Sequence, residues 1–233
     1  MLRDAARDLL LGTHCVGCAR PGRLLCDDCE AVLPTCPEVA WPSPTPPGMV
    51  PTYAAAAYDG TVRAMVLGHK ERRQLALRRP LAALLARAVA AAGVEGPLVL
   101  APVPSRRASV RARGHDPTHS MTGGAAASLR AGGIDAIVWP LLRLLPGVVD
   151  QAGLDAGQRA ANLSGSMACS GPALRRLARM RPRARIVLCD DVLTTGATLR
   201  EAQRALESVG LTVPAAAVVA ATRRRRKAQA IIR

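Results

Sequence analysis

Arg185-Ile186-Val187-Leu188-Cys189-Asp190-Asp191-Val192-Leu193-Thr194-Thr195-Gly196-Ala197-Thr198 is an apolar run that ends in two acids and a hydroxyl-rich turn. Ile186 to Cys189 is β-branched or compact and has no polar alternation, which predicts a central strand of a parallel sheet covered on both faces. Asp190 and Asp191 are expected at the carboxyl end of that strand. Beyond them Leu199, Ala202, Leu206 and Val209 recur at helical spacing and Gly210 offers a stop. The turn Thr194 to Thr198 therefore opens a helix. Backbone N–H groups there lack intrahelical partners and the helix dipole is positive, so a phosphate can collect amide bonds while Thr194, Thr195 and Thr198 supply hydroxyls. Gly196 allows the backbone close to the anion. Carboxylates repel a phosphate placed beside them, but they accept hydrogen bonds from vicinal hydroxyls and help organise a hydrated magnesium ion. The stretch reads as a site for a phosphorylated sugar; the competing reading is an ordinary strand-to-helix turn with an aspartate cap.

Working outward, Pro97 to Val103 reads as another buried strand, followed by Val103-Pro104-Ser105-Arg106-Arg107 and Arg111-Ala112-Arg113-Gly114-His115-Asp116-Pro117. Four arginines in one loop need anions. Asp116 and Pro117 form an N-cap and first-turn pair for a helix running toward Arg130, whose amino end points back to the same edge of the sheet. Gly123 and Gly124 weaken that helix, and nothing in the sequence accounts for them. Earlier, Thr52 to Tyr58 predicts a strand leading into a turn at Asp59-Gly60. Val62, Met65 and Val66 begin a helical pattern, Pro80 interrupts the helical stretch that follows, and Leu81 to Ala92 resumes it. Further strands are expected at Ile134 to Trp139 and around Val213 to Ala220. Alternating strands and helices imply an α/β fold with a mainly parallel sheet flanked by helices and ligands at the strands' carboxyl ends.

Of seven cysteines, four form Cys15-x-x-Cys18 and Cys26-x-x-Cys29, separated by a short stretch containing Gly22. This is zinc-ribbon spacing: each pair wraps one side of a tetrahedral ion, and the intervening residues are too few to bury a useful core without it. The metal would be structural. Disulfides and free thiols are the alternatives, but Arg3, Asp4, Arg7 and Asp8 interrupt the start of the chain, which has no secretory h-region and reads as a short amphipathic helix. A reducing cytoplasm would keep these thiols free for zinc. Cys36 lies just downstream as a possible substitute ligand, whereas Cys169 and Cys189 read as small apolar residues.

The Pro-rich stretch Trp41 to Gly48 suits an extended connector. The chain thus divides into a helix and knuckle at 1–40, a Pro-rich linker at 41–51, an α/β domain at 52–222 and a basic tail at 223–233. No uninterrupted apolar span is long enough to insert in a membrane. With two Trp, two Tyr and no Phe, the core must be filled by Leu, Val, Ile and Ala, and aromatic platforms for stacking single-stranded bases are scarce. The net charge of +15 attracts polyanions. Dispersed arginines and the run Arg223 to Lys227 fit either a solvated surface or a nucleic-acid face.

Residues 185–198 resemble the signature for 5-phosphoribosyl 1-diphosphate (PRPP) of the type I phosphoribosyltransferases: an apolar strand, two acids, an apolar pair and a Thr/Gly-rich loop. With the four-cysteine knuckle, Val103-Pro104-Ser105-Arg106, Arg111 to Asp116, and Gln151 through Arg159 and Asn162, nearly the full chain resembles the ComF family. That resemblance implies a type I phosphoribosyltransferase-like domain behind an N-terminal zinc finger, and an association with DNA uptake in competent bacteria. It implies that Asp190 and Asp191 contact ribose hydroxyls and that Thr194 through Thr198 hold the 5-phosphate, with Val192 and Leu193 also among the PRPP-binding residues. Ser105, Arg106 and Arg107 would meet a diphosphate accompanied by magnesium. Asp190, Asp191 and Arg106 are the candidate catalytic residues, and Cys15, Cys18, Cys26 and Cys29 the metal ligands. The chain departs from the family at His115 and Asp116, which replace Phe-Asn, and at Met167, where an aromatic is usual. Leu67 to Arg73 is a shifted form of a family segment in which Lys70 either approaches the diphosphate or is a solvated helix-end lysine. No histidine is assigned as a base. Two functions follow: a PRPP-binding phosphoribosyltransferase acting on a nitrogen acceptor, or a non-catalytic accessory of the DNA-uptake machinery that keeps the fold. A PRPP-sensing regulator that binds nucleic acid is a third.

Overall fold

The structure, a computed structural model, describes residues 13–146 and 165–222. The start of the chain, the segment with Gln151, Arg159 and Asn162, and the run Arg223 to Lys227 lie outside the described residues. In chain order the elements are α1 (Asp27–Ala31), β1 (Glu38–Ala40), β2 (Thr52–Ala57), α2 (Gly60–Glu71), a 3-10 turn (Leu75–Leu77), α3 (Arg78–Ala91), β3 (Leu98–Pro102), α4 (Arg107–Arg113) and α5 (Pro117–Ala131). They continue with β4 (Ala136–Val138), β5 (Leu142–Leu144), β6 (Met167–Cys169), α6 (Gly171–Met180), β7 (Arg185–Leu193), α7 (Ala197–Glu207) and β8 (Ala215–Ala221).

Among the described residues the main sheet has six strands in the order β1-β2-β8-β7-β3-β4, parallel throughout except for the antiparallel edge strand β1. The quoted strand β7 lies between β8 and β3, as its unbroken apolar run requires. Its side chains alternate between two cores: Val187 and Cys189 pack with α2, α3 and α5, while Ile186 and Leu188 pack with α6 and α7. The strand runs longer than expected and contains both acids, so Asp190 and Asp191 are directed to opposite faces near its end rather than following it.

Three further expectations need correction. The arginine segment is not all loop: Arg107–Arg113, rich in Ala and Arg, is the short helix α4, ended by Gly114 at φ +75°. Pro80 does not interrupt a helix but sits buried in the first turn of α3, where an amide N–H is not needed, and the break falls at Arg72 to Gln74 with Arg73 at φ +55°. Glu38 to Ala40 pairs with Thr52 to Ala54 and so belongs to the main sheet rather than to the cysteine segment. The Pro-rich stretch therefore joins two strands of one sheet, and it is tied to α7: Arg200 Nε donates to the Pro47 carbonyl at 2.9 Å and Gln203 Nε2 to that of Gly48 at 2.9 Å.

The two-stranded antiparallel pair β5–β6 was not legible in the sequence. It is held to α7 by Glu201, only 4% exposed, whose carboxylate accepts from the Met167 N–H at 2.9 Å and from Arg204 Nε at 2.6 Å. Burial alone would raise the Glu201 pKa, but these donors hold it below the ordinary glutamate range.

With no Phe to fill space, helices approach closely. A Cβ on Gly124 would stand 2.7 Å from Ala82 Cβ of α3, which supplies the reason for that glycine, whereas a Cβ on Gly123 would meet nothing within 4 Å. Opposite effects follow for neighbouring substitutions. Gly124→Ala should lower stability by about 1–3 kcal/mol through overpacking, and Gly123→Ala should raise it by roughly 0.4–1 kcal/mol. Urea melts of both variants check the contrast.

Candidate functional site

Parallel strands bring their carboxyl ends to one edge, and there β7 delivers Asp190 and Asp191 beside the loop that leaves β3. Val103 N–H donates to the Cys189 carbonyl at 2.9 Å, which locks that loop against the acid pair. A cavity of about 470 Å³ opens at this edge. Its floor is Asp190, Asp191 and Val192; Thr194 and Thr198 line one side, and Pro104, Ser105 and Arg106 another. Leu67, Lys70 and Glu71 from the end of α2, Arg113 from α4 and Thr118 from α5 also line it, together with Tyr58.

The acid pair is electrostatically costly. Burial first, and then the neighbouring Asp191 carboxylate, push the Asp190 pKa up to about 8. The cation that opposes this is Lys70, whose Nζ donates to Asp191 Oδ2 at 2.5 Å. Burial by itself would lower the Lys70 pKa, yet the Asp191 carboxylate outweighs it and the ammonium titrates above its ordinary range. Each acid also accepts from the next amide: Asp191 N–H to Asp190 Oδ1 and Val192 N–H to Asp191 Oδ1, both at 2.8 Å. Asp191 is 8% exposed.

The turn after β7 enters α7 through Gly196, at φ +74°. A Cβ there would come within 2.8 Å of Pro42 Cγ and 2.9 Å of Met49 Sδ, so the side chain is absent because the Pro-rich stretch packs behind the turn. Thr195 Oγ1 accepts from the Ala197 N–H at 3.4 Å, while Thr194 and Thr198 face the cavity. Leu193 and Ala197 are buried and hold the turn in place from the core side.

Of the arginines, Arg106 and Arg113 line the cavity; Arg107 is exposed and outside it, because α4 turns its first residue outward. Arg113 is neutralised by Glu71, with Nη2–Oε1 at 2.8 Å and Nε–Oε2 at 3.3 Å. Asp116 is the expected N-cap: Oδ1 accepts from the His119 N–H and from Ser105 Oγ, both at 3.1 Å, so Ser105 is tied to the start of α5. His115 packs against α2, with Nε2 3.2 Å from the His69 carbonyl and the two rings 5.3 Å apart. Burial, followed by His115, keeps the His69 pKa below the ordinary histidine range, so this pair is a structural contact. Tyr58, expected only as a strand end, also lines the cavity. It follows β2, and its N–H bond to the Ala221 carbonyl at 2.8 Å carries it to the same sheet edge.

The four cysteines converge: one sulfur each from Cys15, Cys18, Cys26 and Cys29 lies within 4.8 Å of the others, and Cys18 and Cys26 sulfurs are 3.6 Å apart. Sulfurs about 2.3 Å from one tetrahedral ion stand roughly 3.8 Å apart, so the donor set fits a metal such as zinc. Burial disfavours the Cys15 thiolate, but the N–H groups of Cys26, Cys18 and Gly17 more than offset it and hold its pKa at about 6. Cys29, crowded by Cys26 first and by burial next, is pushed up to about 12, so four thiolates need a cation at their centre. Cys36 is exposed and stands outside the cluster. The knuckle is not a free appendage, since Cys15, Leu24, Leu25 and Leu33 share a core with Val62, Met65 and Leu81.

No helix among the described residues is long and apolar enough to cross a membrane. No curated protein matches the chain. A family model described as a phosphoribosyl transferase domain matches residues 144–232, the part that contains β7, the turn and α7. The chain has the type I phosphoribosyltransferase-like fold, with a four-cysteine knuckle at its front.

Proposed function

We propose that this chain is a ComF-like protein that binds PRPP with magnesium at the cavity edge and transfers its phosphoribosyl group to a nitrogen acceptor. One observation carries the reading: Asp190, Asp191, Thr194, Thr198, Ser105 and Arg106 line a single cavity at the carboxyl edge of the sheet. Asp190 and Asp191 accept hydrogen bonds from the ribose hydroxyls. Thr194 through Thr198 hold the 5-phosphate with amides and hydroxyls at the start of α7. Ser105 and Arg106 meet the diphosphate, for which a guanidinium fork suits phosphate oxygens. Magnesium arriving with the substrate supplies charge neutralisation. In the transfer the bond from ribose C1 to the diphosphate oxygen breaks, a C1–N bond forms, diphosphate leaves, and the acceptor nitrogen gives up a proton to solvent. Positioning and charge stabilisation supply the acceleration, and Tyr58, in the wall of the same cavity, offers an aromatic face to an acceptor.

Zinc is the proposed ion of the knuckle, held by Cys15, Cys18, Cys26 and Cys29, and its thiolates suit a reducing compartment such as the cytoplasm. Association with DNA uptake is proposed from the resemblance to ComF, and the net charge of +15 supports contact with a polyanion.

Three outcomes are expected. PRPP with magnesium raises Tm, and Asp190→Asn with Asp191→Asn removes the rise; no shift in the intact protein would overturn the sugar-phosphate reading. The purified chain carries one zinc by metal analysis, and Cys15→Ser lowers Tm by roughly 10 °C, because the knuckle leucines share the main core. DNA binding weakens steeply between low and moderate salt and on deletion of Arg223 to Lys227; affinity indifferent to both would refute the electrostatic contact.

A further inference from the structure

Lys70 occupies one of the two acids at the floor of the proposed PRPP–magnesium site. Its ammonium lies 2.5 Å from Asp191 Oδ2, a carboxylate whose side chain is 12% exposed, and the Lys70 side chain itself is 36% exposed. The backbone carrying it is fixed: Glu71 is clamped by Arg113, and His115 Nε2 sits on the His69 carbonyl. The stem of four methylenes remains the adjustable part, and it opens on the same cavity as Ser105, Arg106 and Thr194.

A divalent cation at the acid pair needs carboxylate oxygens at about 2.0–2.1 Å if it is magnesium. Such an ion and an ammonium on the same oxygen repel each other strongly in a half-buried site. Metal therefore enters only if Lys70 leaves, and Lys70 leaves at little cost only if another anion takes its charge. A diphosphate arriving in the same cavity is that anion. Lys70 has two further N–H donors beyond the one used on Asp191, and swinging to a phosphate oxygen exchanges one charge-assisted bond for another.

We propose that Lys70 is an internal counter-cation that bars free divalent metal from Asp190 and Asp191 and yields its place when metal and diphosphate arrive together. The proposal rests on reading the cavity as a PRPP–magnesium site. It makes metal and ligand binding mutually dependent, with Lys70 as the positioning residue that couples them.

Mn2+ titration of the full chain, followed by electron paramagnetic resonance in the absence of PRPP, tests this directly. Lys70→Gln should raise Mn2+ affinity about tenfold over the parent chain, while lowering the affinity for PRPP with magnesium about tenfold. A merely structural lysine would weaken both or neither. Lys70→Arg, which keeps the charge, should keep Mn2+ out, and adding Asp191→Asn to Lys70→Gln should cancel the gain. Unchanged or weaker Mn2+ binding in Lys70→Gln overturns the proposal. So does tight Mn2+ binding to the ligand-free parent chain, a measurement that stands even if a variant fails to fold. A Mn2+ contrast as expected, with no PRPP binding by the parent chain, supports the exclusion of metal and counts against the sugar-phosphate reading instead.

Discussion

Two carboxylates in consecutive positions of a strand buried between two others oppose each other's charge, and the contact of Lys70 with Asp191 offsets that only in part, since the Asp190 carboxyl is still pushed up to about 8. The contact spans 121 positions of the chain, so the arrangement of α2 against the sheet is a condition of the site. Val62, Met65 and Val66 bury one face of α2 in the core shared with α3 and α5. Its amino end meets the knuckle, where Gly17 has no room for a side chain between Cys29 Sγ and Thr61 Oγ1. One helix thus runs from the cysteine cluster to the acid pair, and the knuckle bears on the element that presents Lys70.

What the sequence disclosed and what it hid divide along a physical line. β7, the turn and α7 were legible because hydrophobic period, Gly196 and the acids are all local signals. The Asp116-Pro117 start of α5 was legible for the same reason, and the cap bond to the His119 N–H is in place. Features that depend on partners distant in sequence were not. The need for Gly124 resides in Ala82, the docking of the Pro-rich stretch in Arg200 and Gln203, and the placement of the β5–β6 pair in a buried Glu201 that a helical pattern would assign to the surface. Lys70 belongs to this second group: its sequence context allowed either a solvated or a ligand-facing lysine, and only the packing of α2 brings it to Asp191. Tyr58 stands outside every motif, and its place at the cavity depends on the pairing of β2 with β8, a contact between distant parts of the chain.

The scarcity of aromatic residues has a structural counterpart. β2 and β8 are built largely from alanine, and every residue of β8 is buried. Small strand residues let α3 and α7 approach the sheet, and the large volumes are supplied by leucines such as Leu81, Leu84, Leu85 and Leu206 on the helices. A core of this kind has little slack, because alanine and glycine offer no side-chain torsion through which a neighbour could be accommodated. Hence the tight places at Gly124 and Gly196, and hence a turn whose shape is set from behind by Pro42 and Met49 before any ligand reaches its front.

That rigidity bears on the chemistry. Asp190 is held in a setting that raises its pKa to about 8, although an asparagine would fill the same volume with no charge to compensate. The fold therefore bears a cost at this position that the fold itself does not require. Costs of this sort gather where a ligand relieves them, as a sugar hydroxyl donating to the carboxylate or a cation shared with a diphosphate would do. The rest of the edge is consistent with that division of labour. The acids and the turn are fixed by strand pairing and close packing, whereas the cationic groups of Lys70 and Arg106 are carried on long side chains that line the same cavity. An acidic floor with cations on long side chains beside it would suit a ligand that carries both hydroxyls and anionic groups and is large enough to span both.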